Sequence, residues 1–332
     1  MKNPHIHNVN TTIVCCTTVK ELKIVKRLDK LKNLRWFRHT TCLLLLKFAS
    51  REITYTIPIV NKMDTKSPLS IFRHLSQDHY DDDVRMRWFQ QYWWLSIPIC
   101  TIYVILVFQG RNFMKARSPF SLRLPLTLWS SCLALFSICG SLVIATYVIK
   151  TWIQHDFYTT VCSDGMYDGY TGFWFCLFAL SKAFELLDTF FIILRKQKLI
   201  FLHWYHHILT LFYCWYAFTH RDNSPGGISC AINFIVHAIM YSYYAVRATG
   251  KIKVPKGVNI FITSIQIVQM VVNLWIHAKA YKYLSEGRPC AYNLRIFYLT
   301  MAMYASYLVL FANFFYQAYF SSRQSEKSKK AP

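Results

Sequence analysis

Seven apolar segments, each close to the length needed to cross a bilayer, dominate this sequence. Read with a window of about 20 residues, they fall near 93–109, 125–149, 173–194, 199–219, 228–247, 258–277 and 294–320. With 54% hydrophobic and 17% aromatic residues, the chain of 332 residues is too apolar for a soluble domain of this size. The sequence therefore predicts an all-α, polytopic membrane protein with seven transmembrane helices.

The net charge of +22 is better explained by topology than by nucleic acid binding. A phosphate-binding patch would need basic residues gathered on one soluble face, and here they lie mainly between the apolar segments. The positive-inside rule places the connections at 110–124, 195–198 and 248–257 in the cytosol. This predicts a lumenal N-terminus and a cytosolic C-terminus, although the lumenal connection at 278–293 is somewhat basic.

The two ends of the chain differ from the apolar region. Residues 1–62 hold twelve Lys and Arg against three acids, and we interpret them as an extension that is dispensable or absent from the mature protein. Residues 63–322 then form the membrane domain, and 323–332 a basic cytosolic tail. Lys329 and Lys330 resemble a dilysine signal for retrieval to the endoplasmic reticulum, with a solvated basic tail as the alternative.

Two of the eleven cysteines stand outside the apolar segments in connections that this topology places in the lumen. These residues are Cys162 and Cys290. Because the lumen is oxidising, we predict a disulfide between them, with a pair of free thiols as the alternative.

Four polar clusters interrupt the apolar segments between residues 182 and 269. They are Lys182/Glu185/Asp188/Thr189, His203/His206/His207, His237/Met240/Tyr241/Tyr243/Tyr244 and Thr263/Gln266/Gln269. Spacings of three and four residues predict that each cluster occupies one face of one helix. An ionisable side chain at a bilayer centre costs about 2.5 to 3.5 kcal/mol, so several together indicate a site.

The four clusters are predicted to lie at a similar depth. At a rise of 1.5 Å per residue, they lie roughly 8 to 20 Å inward from the basic residues at the cytosolic helix ends. A single polar chamber that is enclosed by the helices and open to the cytosol accounts for this agreement.

Structural roles are the alternative for most of these residues. Lys182 and Glu185 could form an intramembrane ion pair, and the Tyr-rich face could pack with hydrogen-bonding tips. Gln266 and Gln269 are expected to satisfy neighbours across helices. Three clustered imidazoles are harder to explain structurally, and suit either metal binding or proton and acyl transfer.

Several classes of protein fit the histidines less well. Membrane di-iron oxygenases need about eight histidines, and only four of the twelve here lie in the clusters. Receptor signatures are missing, and the cluster-bearing segments lack the midspan Gly or Pro typical of transporters. A seven-span zinc-dependent lipid hydrolase, with ligands from His203, His206 or His207 and His237 or Asp188, stays open.

In their order, the four clusters resemble the signature set of the ELO family of fatty acid elongases. The match covers about residues 70–322, and none of the signature positions departs from the family pattern. The run 191–207, FIILRKQKLIFLHWYHH, is similar to the elongase 6/3-like subgroup for saturated and monounsaturated acyl-CoAs. Members acting on polyunsaturated chains commonly have valine where Trp204 stands.

The resemblance implies an acyltransferase of the endoplasmic reticulum membrane, a very-long-chain 3-oxoacyl-CoA synthase. It would condense long-chain acyl-CoA with malonyl-CoA to 3-ketoacyl-CoA, CO₂ and CoA, without a metal or other cofactor. Its implied companions are a 3-ketoacyl-CoA reductase, a 3-hydroxyacyl-CoA dehydratase and an enoyl-CoA reductase. Oligomers with itself or with other elongases, and a non-catalytic lipid-binding scaffold, stay open.

For this reaction we expect His206 to be the nucleophile and His237 its partner across helices. His203 and His207 would orient groups or stabilise charge, and a general-base mechanism with the same histidines is the rival. Supporting roles fall to Lys182, Glu185, Asp188, Thr189, Tyr241, Tyr244, Gln266 and Gln269. The CoA phosphates would be held by Arg195, Lys196, Lys198, Arg247, Lys251 and Lys253, each of which could instead be purely topogenic.

Overall fold

Residues 82–252 and 254–321, the part of the chain that the computed structural model describes, form helices and no β-strand. The α-helices are α1 Asp82–Tyr92, α2 Ser96–Met114, α3 Arg123–Gln154, α4 Phe157–Cys162, α5 Gly169–Glu185, α6 Leu187–Leu194, α7 Phe201–Ala217, α8 Pro225–Thr249, α9 Lys256–Ser285 and α10 Leu294–Tyr316. Short 3₁₀ turns join α1 to α2 and α4 to α5, and a π-helical turn follows α10. The extension 1–62 and the tail with Lys329 and Lys330 lie outside the described residues.

Within residues 82–252 and 254–321, five helical segments are long and apolar enough to cross a membrane. They are Val84–Met114, Arg123–Gln154, Pro225–Thr249, Gly257–Ser285 and Leu294–Phe320. Large apolar side chains point outward along several of them, as at Ile102, Leu135 and Leu142. Lipid is the environment that suits such exposed surface, and the all-α, multi-pass membrane architecture is therefore confirmed.

The other two predicted spans are shorter. The segment near 199–219 is the 17-residue helix α7, and the segment near 173–194 is divided between α5 and α6. Seven crossings therefore stay a prediction.

The division at Leu186 corrects the prediction that the first polar cluster lies on one helix. Leu186 forms a turn, and the Thr189 N–H donates to the Leu186 carbonyl at 3.3 Å, a tighter i to i−3 pattern. Lys182 and Glu185 consequently belong to α5, whereas Asp188 and Thr189 belong to α6. Since the break contains neither Gly nor Pro, the sequence carries no helix-breaking signal there.

The most extensive helix pairing joins α3 to α8. Gly140 of α3 lies directly against the ring of Phe234 on α8. Phe136 packs edge to face against the same ring, with the two ring centroids 5.5 Å apart. A methyl group at position 140 would lie 2.5 Å from two atoms of the Phe234 ring. This close approach fixes the distance between α3 and the helix that carries His237.

We expect Gly140→Ala to lower the free energy of unfolding by about 1 to 3 kcal/mol, because the added carbon overpacks the α3/α8 contact. Thermal unfolding of the detergent-solubilised protein measures the change. Gly257→Ala is the matched control, since a Cβ there meets no atom within 4 Å. Equal melting temperatures for the two variants would contradict this account of the packing.

Three connections meet at the end of the bundle where α8 begins. Cys162 and Cys290 are joined by a disulfide that bridges the connections after α4 and after α9. The Ala291 N–H donates to the Cys162 carbonyl at 3.1 Å, and the Ser224 N–H donates to the Ala291 carbonyl at 3.0 Å. Arg221 pairs with Asp164 and Asp168 across the same region. The predicted lumenal connections therefore form one cross-linked cap.

We expect Cys162→Ser to lower the free energy of unfolding by about 2 to 5 kcal/mol, because the disulfide closes a loop of 128 residues. Cys290→Ser and the double variant should melt at the same temperature as Cys162→Ser. Cys132→Ser, at an exposed free cysteine, is the control. Wild-type melting temperatures in all three disulfide variants would show that the bridge does not stabilise the fold.

The basic connections lie together at the opposite end. Lys196 Nζ donates to the carbonyls of Lys115 at 3.2 Å and Arg117 at 2.9 Å, and the Phe120 N–H donates to the Leu194 carbonyl at 3.0 Å. Connections that the charge rule assigns to one side are therefore neighbours. Which side of a membrane they face is a separate prediction.

Candidate active site

A cavity of about 350 Å³ lies among α5 to α10. Residues from all four polar clusters line it: Glu185, Asp188, His203, His206, His207, His237, Met240, Tyr241, Tyr243, Tyr244, Thr263, Gln266 and Gln269. Four groups that are far apart in the sequence therefore face one space. Lys182 and Thr189 do not line the cavity. Their side chains instead contact residues that line it, Glu185 and His203.

The three histidines of α7 form a compact cluster in which no two rings are parallel. The ring centroids of His203 and His207 are 4.6 Å apart, and those of His206 and His207 are 5.8 Å apart. Thr189 Oγ1 lies 3.1 Å from His203 Nε2 and 2.6 Å from Tyr103 Oη. Thr189 therefore orients His203 by linking it to Tyr103 of α2. This role explains why a polar residue is found at position 189, behind the cavity wall.

His206 has no such support among the described residues. Its Nδ1 is buried and has no hydrogen-bond partner in that part of the chain. Its ring lies 4.8 Å from the ring of Tyr307 and 6.3 Å from that of Phe311. A buried ring nitrogen without a hydrogen-bond partner is unusual in a folded protein and marks His206 as a candidate functional residue.

A buried ion pair lies behind His237. Lys182 Nζ is 2.8 Å from Glu185 Oε1, and the two residues are 2% and 4% exposed. Ser181 Oγ donates to the same oxygen at 3.0 Å, and His237 Nδ1 is 3.9 Å from it. The carboxylate of Glu185 therefore lies between the ammonium group of Lys182, which it binds, and the imidazole of His237, which is beyond hydrogen-bond distance.

Asp188 ties three helices together. Its Oδ1 accepts from Trp129 Nε1 on α3, and its Oδ2 accepts from Tyr241 Oη on α8, both at 2.6 Å. The Tyr241 ring stands nearly perpendicular to His237, with centroids 5.3 Å apart. Asp188 therefore fixes Tyr241, and Tyr241 in turn supports one side of His237.

The two glutamines of α9 differ. Gln266 Nε2 donates to Met240 Sδ at 3.3 Å, so it meets a neighbour across helices as expected. Gln269 does not follow that expectation. It is 5% exposed, and its Oε1 has no hydrogen-bond partner among the described residues, whereas its backbone carbonyl accepts from Asn273 Nδ2 at 2.8 Å.

Of the basic residues predicted at the mouth, the structure places Arg247 on the cavity wall. Arg247 Nη1 donates to Tyr243 Oη at 2.8 Å, and Tyr243 donates to Asn259 Oδ1. Lys196 instead caps carbonyls of the connection between α2 and α3. Arg195, Lys198 and Lys251 do not line the cavity, and Lys253 lies outside the described residues.

Metal binding receives no support from the described part of the chain. No group of three or more His, Cys, Asp or Glu side chains there has a geometry that could hold a metal ion. The ligand set considered for a zinc hydrolase is therefore not assembled among these residues.

A second, narrower cavity of about 50 Å³ reaches toward the cross-linked cap. Its walls are largely apolar, with Phe175, Phe178 and Met303, and its far end reaches Asn223 next to the cap. His206, Asn233, Gln269 and Met270 line both cavities. The wide polar cavity and the smaller apolar one are therefore adjacent, and these four residues form their shared wall.

Several residues of this site were not predicted from the sequence. Asn233 precedes His237 by four residues, so helical spacing could have placed it on the same face. Tyr103, Trp129 and Tyr307 reach the site from α2, α3 and α10 respectively, and no local pattern marks them.

These features define a class: a multi-pass helical membrane protein with four histidines, a buried ion pair and amide side chains around one internal cavity. The model of the ELO family, described as the GNS1/SUR4 family, matches residues 88–329, and the chain belongs to this family. The resemblance drawn from the four clusters is therefore confirmed.

Three relatives show the extent of the similarity. Very long chain fatty acid elongase 6 of Homo sapiens is 41% identical over 254 residues, which cover 76% of this chain and 95% of that protein. Putative fatty acid elongase 3 of Caenorhabditis elegans is 39% identical over 255 residues, covering 74% and 79%. Very long chain fatty acid elongase 3 of Homo sapiens is 40% identical over 247 residues, covering 73% and 88%.

Proposed function

We propose that this protein is a fatty acid elongase that condenses a long-chain acyl-CoA with malonyl-CoA to give 3-ketoacyl-CoA, CO₂ and CoA. The observation that carries the proposal is the single cavity that gathers His203, His206, His207 and His237. Relatives that cover most of the chain are named as fatty acid elongases. Saturated and monounsaturated primers are the proposed substrates, in keeping with the similarity to elongases 6 and 3.

The proposed setting is the endoplasmic reticulum membrane. Seven helices would cross it, with the N-terminus in the lumen, the C-terminal tail in the cytosol and the polar cavity open to the cytosol. The separation of basic connections from the disulfide-linked ones supports this orientation. Both CoA esters would enter from the cytosol, and the apolar acyl tail would extend into the narrow cavity.

The first half-reaction is an acyl transfer. A ring nitrogen of His206 attacks the thioester carbonyl carbon, the new N–C bond forms, and the C–S bond breaks. The sulfur leaves as a thiolate and takes the imidazole proton, through His237, to become CoA. The products are a neutral acyl-imidazole and free CoA, and no cysteine is required.

The second half-reaction forms the carbon–carbon bond. Malonyl-CoA loses CO₂, and the electron pair of the broken C–C bond becomes the enolate of acetyl-CoA. The enolate carbon attacks the acyl carbonyl, the N–C bond breaks, and His206 takes up one proton. His203 and His207 stabilise the developing charge, and Arg247 holds phosphate groups at the mouth.

No metal ion or other cofactor takes part in the proposed reaction. The product would be consumed by a 3-ketoacyl-CoA reductase, and then by a dehydratase and an enoyl reductase, acting on the same membrane.

Microsomes that express this chain test the proposal directly. We expect incorporation of labelled malonyl-CoA into lipid two carbons longer than a saturated or monounsaturated primer. Polyunsaturated primers, supplied in parallel, measure the substrate preference. No extension of any primer by protein that is folded in the membrane would reject the proposal, and metal analysis of the purified chain would then test the hydrolase alternative.

Rapid-quench trapping separates the covalent mechanism from the general-base mechanism. We expect the acyl group on the peptide that contains His206 when acyl-CoA is supplied without malonyl-CoA. Elongation without any acylated peptide would favour histidines acting only as a general base on malonyl-CoA.

A further inference from the structure

The junction of the two cavities is the natural position for a thioester. The CoA half of an acyl-CoA is polar and charged, whereas its acyl tail is apolar, and the thioester joins them. The wide cavity has a polar wall and the narrow one an apolar wall, and they share His206, Asn233, Gln269 and Met270. A substrate that occupies both cavities places its reacting carbonyl beside these residues.

The side chain of Asn233 has a defined orientation at this junction. Lys182 Nζ lies 3.2 Å from Asn233 Oδ1. An ammonium group can only donate, so the amide oxygen must face Lys182 and the amide nitrogen must face away. Within the described residues, Asn233 Nδ2 has no hydrogen-bond acceptor, and Asn233 lines both cavities.

Two further polar groups at the junction also lack partners among the described residues. They are the buried Nδ1 of His206 and the buried Oε1 of Gln269. Buried polar atoms are nearly always hydrogen-bonded, so unpaired atoms on residues that line both cavities indicate a polar ligand. A thioester carbonyl suits this arrangement, because its carbon can be attacked by the imidazole of His206 while its oxygen accepts from the amide N–H of Asn233.

We propose that Asn233 is a catalytic residue whose Nδ2 donates a hydrogen bond to the thioester carbonyl oxygen and stabilises the negative charge that develops there. This role rests on the proposed elongase function. It holds for both mechanisms, because the same carbonyl is attacked whether the attacking group is His206 or the malonyl-derived carbon. The ammonium of Lys182 pulls electron density from the amide oxygen and strengthens the N–H donor. Lys182 is thus a positioning residue that acts through Asn233.

Asn233→Asp provides the sharpest test, because it keeps an oxygen that accepts from Lys182 and removes the N–H donor. We expect kcat for elongation to fall by about 10²- to 10³-fold, as for the loss of one donor to a developing oxyanion. Binding of a thioether analogue of acyl-CoA, which has no carbonyl, should change by less than about threefold, because Asn233 acts in the transition state. Asn313→Asp makes the same change at an exposed residue outside both cavities and is the control.

Asn233→Ala provides a second variant if the aspartate does not fold, since alanine favours the helix. The same loss of kcat is expected. Near wild-type kcat in either folded variant, or an equal loss of analogue binding and kcat, would overturn the role of Asn233. An inactive wild-type protein would instead overturn the proposed function, and this role with it.

A double-mutant cycle tests the positioning role of Lys182. We expect Lys182→Met to lower kcat in the wild-type background and to add little in the Asn233→Ala background, at a temperature where all variants are folded. A purely structural role of Lys182 would lower kcat by the same factor in both backgrounds.

Discussion

Replacing His206 with alanine is expected to lower the rate of two-carbon extension by at least about a thousandfold while the protein stays folded in the membrane. His206 has a buried, unpartnered ring nitrogen and lies where the polar and apolar cavities meet. The change removes the nucleophile of the proposed mechanism and also the base of its rival. The measurement is incorporation of labelled malonyl-CoA by microsomes with matched amounts of protein.

His155→Ala is the control for this experiment, because His155 is exposed beyond the last turn of α3 and lines neither cavity. It should retain wild-type activity. Substantial elongation by His206→Ala, with its amount in the membrane verified, would remove His206 from the mechanism and leave His203, His207 and His237 as candidates.

Replacing Lys182 with methionine is expected to lower the free energy of unfolding by about 3 to 5 kcal/mol. Lys182 and Glu185 are almost completely buried, and their charged atoms are 2.8 Å apart. Removing the ammonium leaves a carboxylate in a region of low dielectric, where Ser181 and His237 are its remaining polar neighbours among the described residues. Thermal unfolding of the detergent-solubilised protein measures the loss as a lower melting temperature.

The double variant Lys182→Met/Glu185→Leu distinguishes the loss of a charge partner from a loss of packing. Because the desolvation penalty disappears when both charges are removed, the double variant should regain most of the lost stability. A double variant that melts as low as the single one would show that the cost came from contacts of Lys182 outside the ion pair, such as that of its Nζ, which lies 4.1 Å from the ring centroid of Phe178.

The polar clusters could be predicted from the sequence because their signal is local. Ionisable residues in apolar segments are costly, and spacings of three and four residues put His203, His206 and His207 on one face of α7. The same spacing led to one wrong detail, since Lys182 and Asp188 lie on different helices. Nothing local marks the turn at Leu186, a buried residue in a segment without Gly or Pro.

The contacts behind the cavity wall could not be predicted in the same way. Trp129 reaches Asp188 from a residue 59 positions away in the chain, and Tyr103 reaches Thr189 across 86 positions. Such pairs have no periodicity, and any buried Trp or Tyr would fit the sequence equally well. Asn233 is an intermediate case. Helical spacing in the sequence predicts that it lies on the same face as His237, but nothing in the sequence predicts its contact with Lys182.

The sequence by itself determined that this chain is a multi-pass helical membrane protein and which polar residues lie inside it, because hydropathy and helical periodicity are local properties. The tertiary structure decided which of those residues face one another. It placed Lys182 behind Asn233 and not in the cavity, left the side-chain oxygen of Gln269 without a partner among the described residues, and made His206 part of the wall of both a polar cavity and an apolar one. These outcomes depend on the relative rotation and distance of packed helices, which contacts such as that between Gly140 and Phe234 fix.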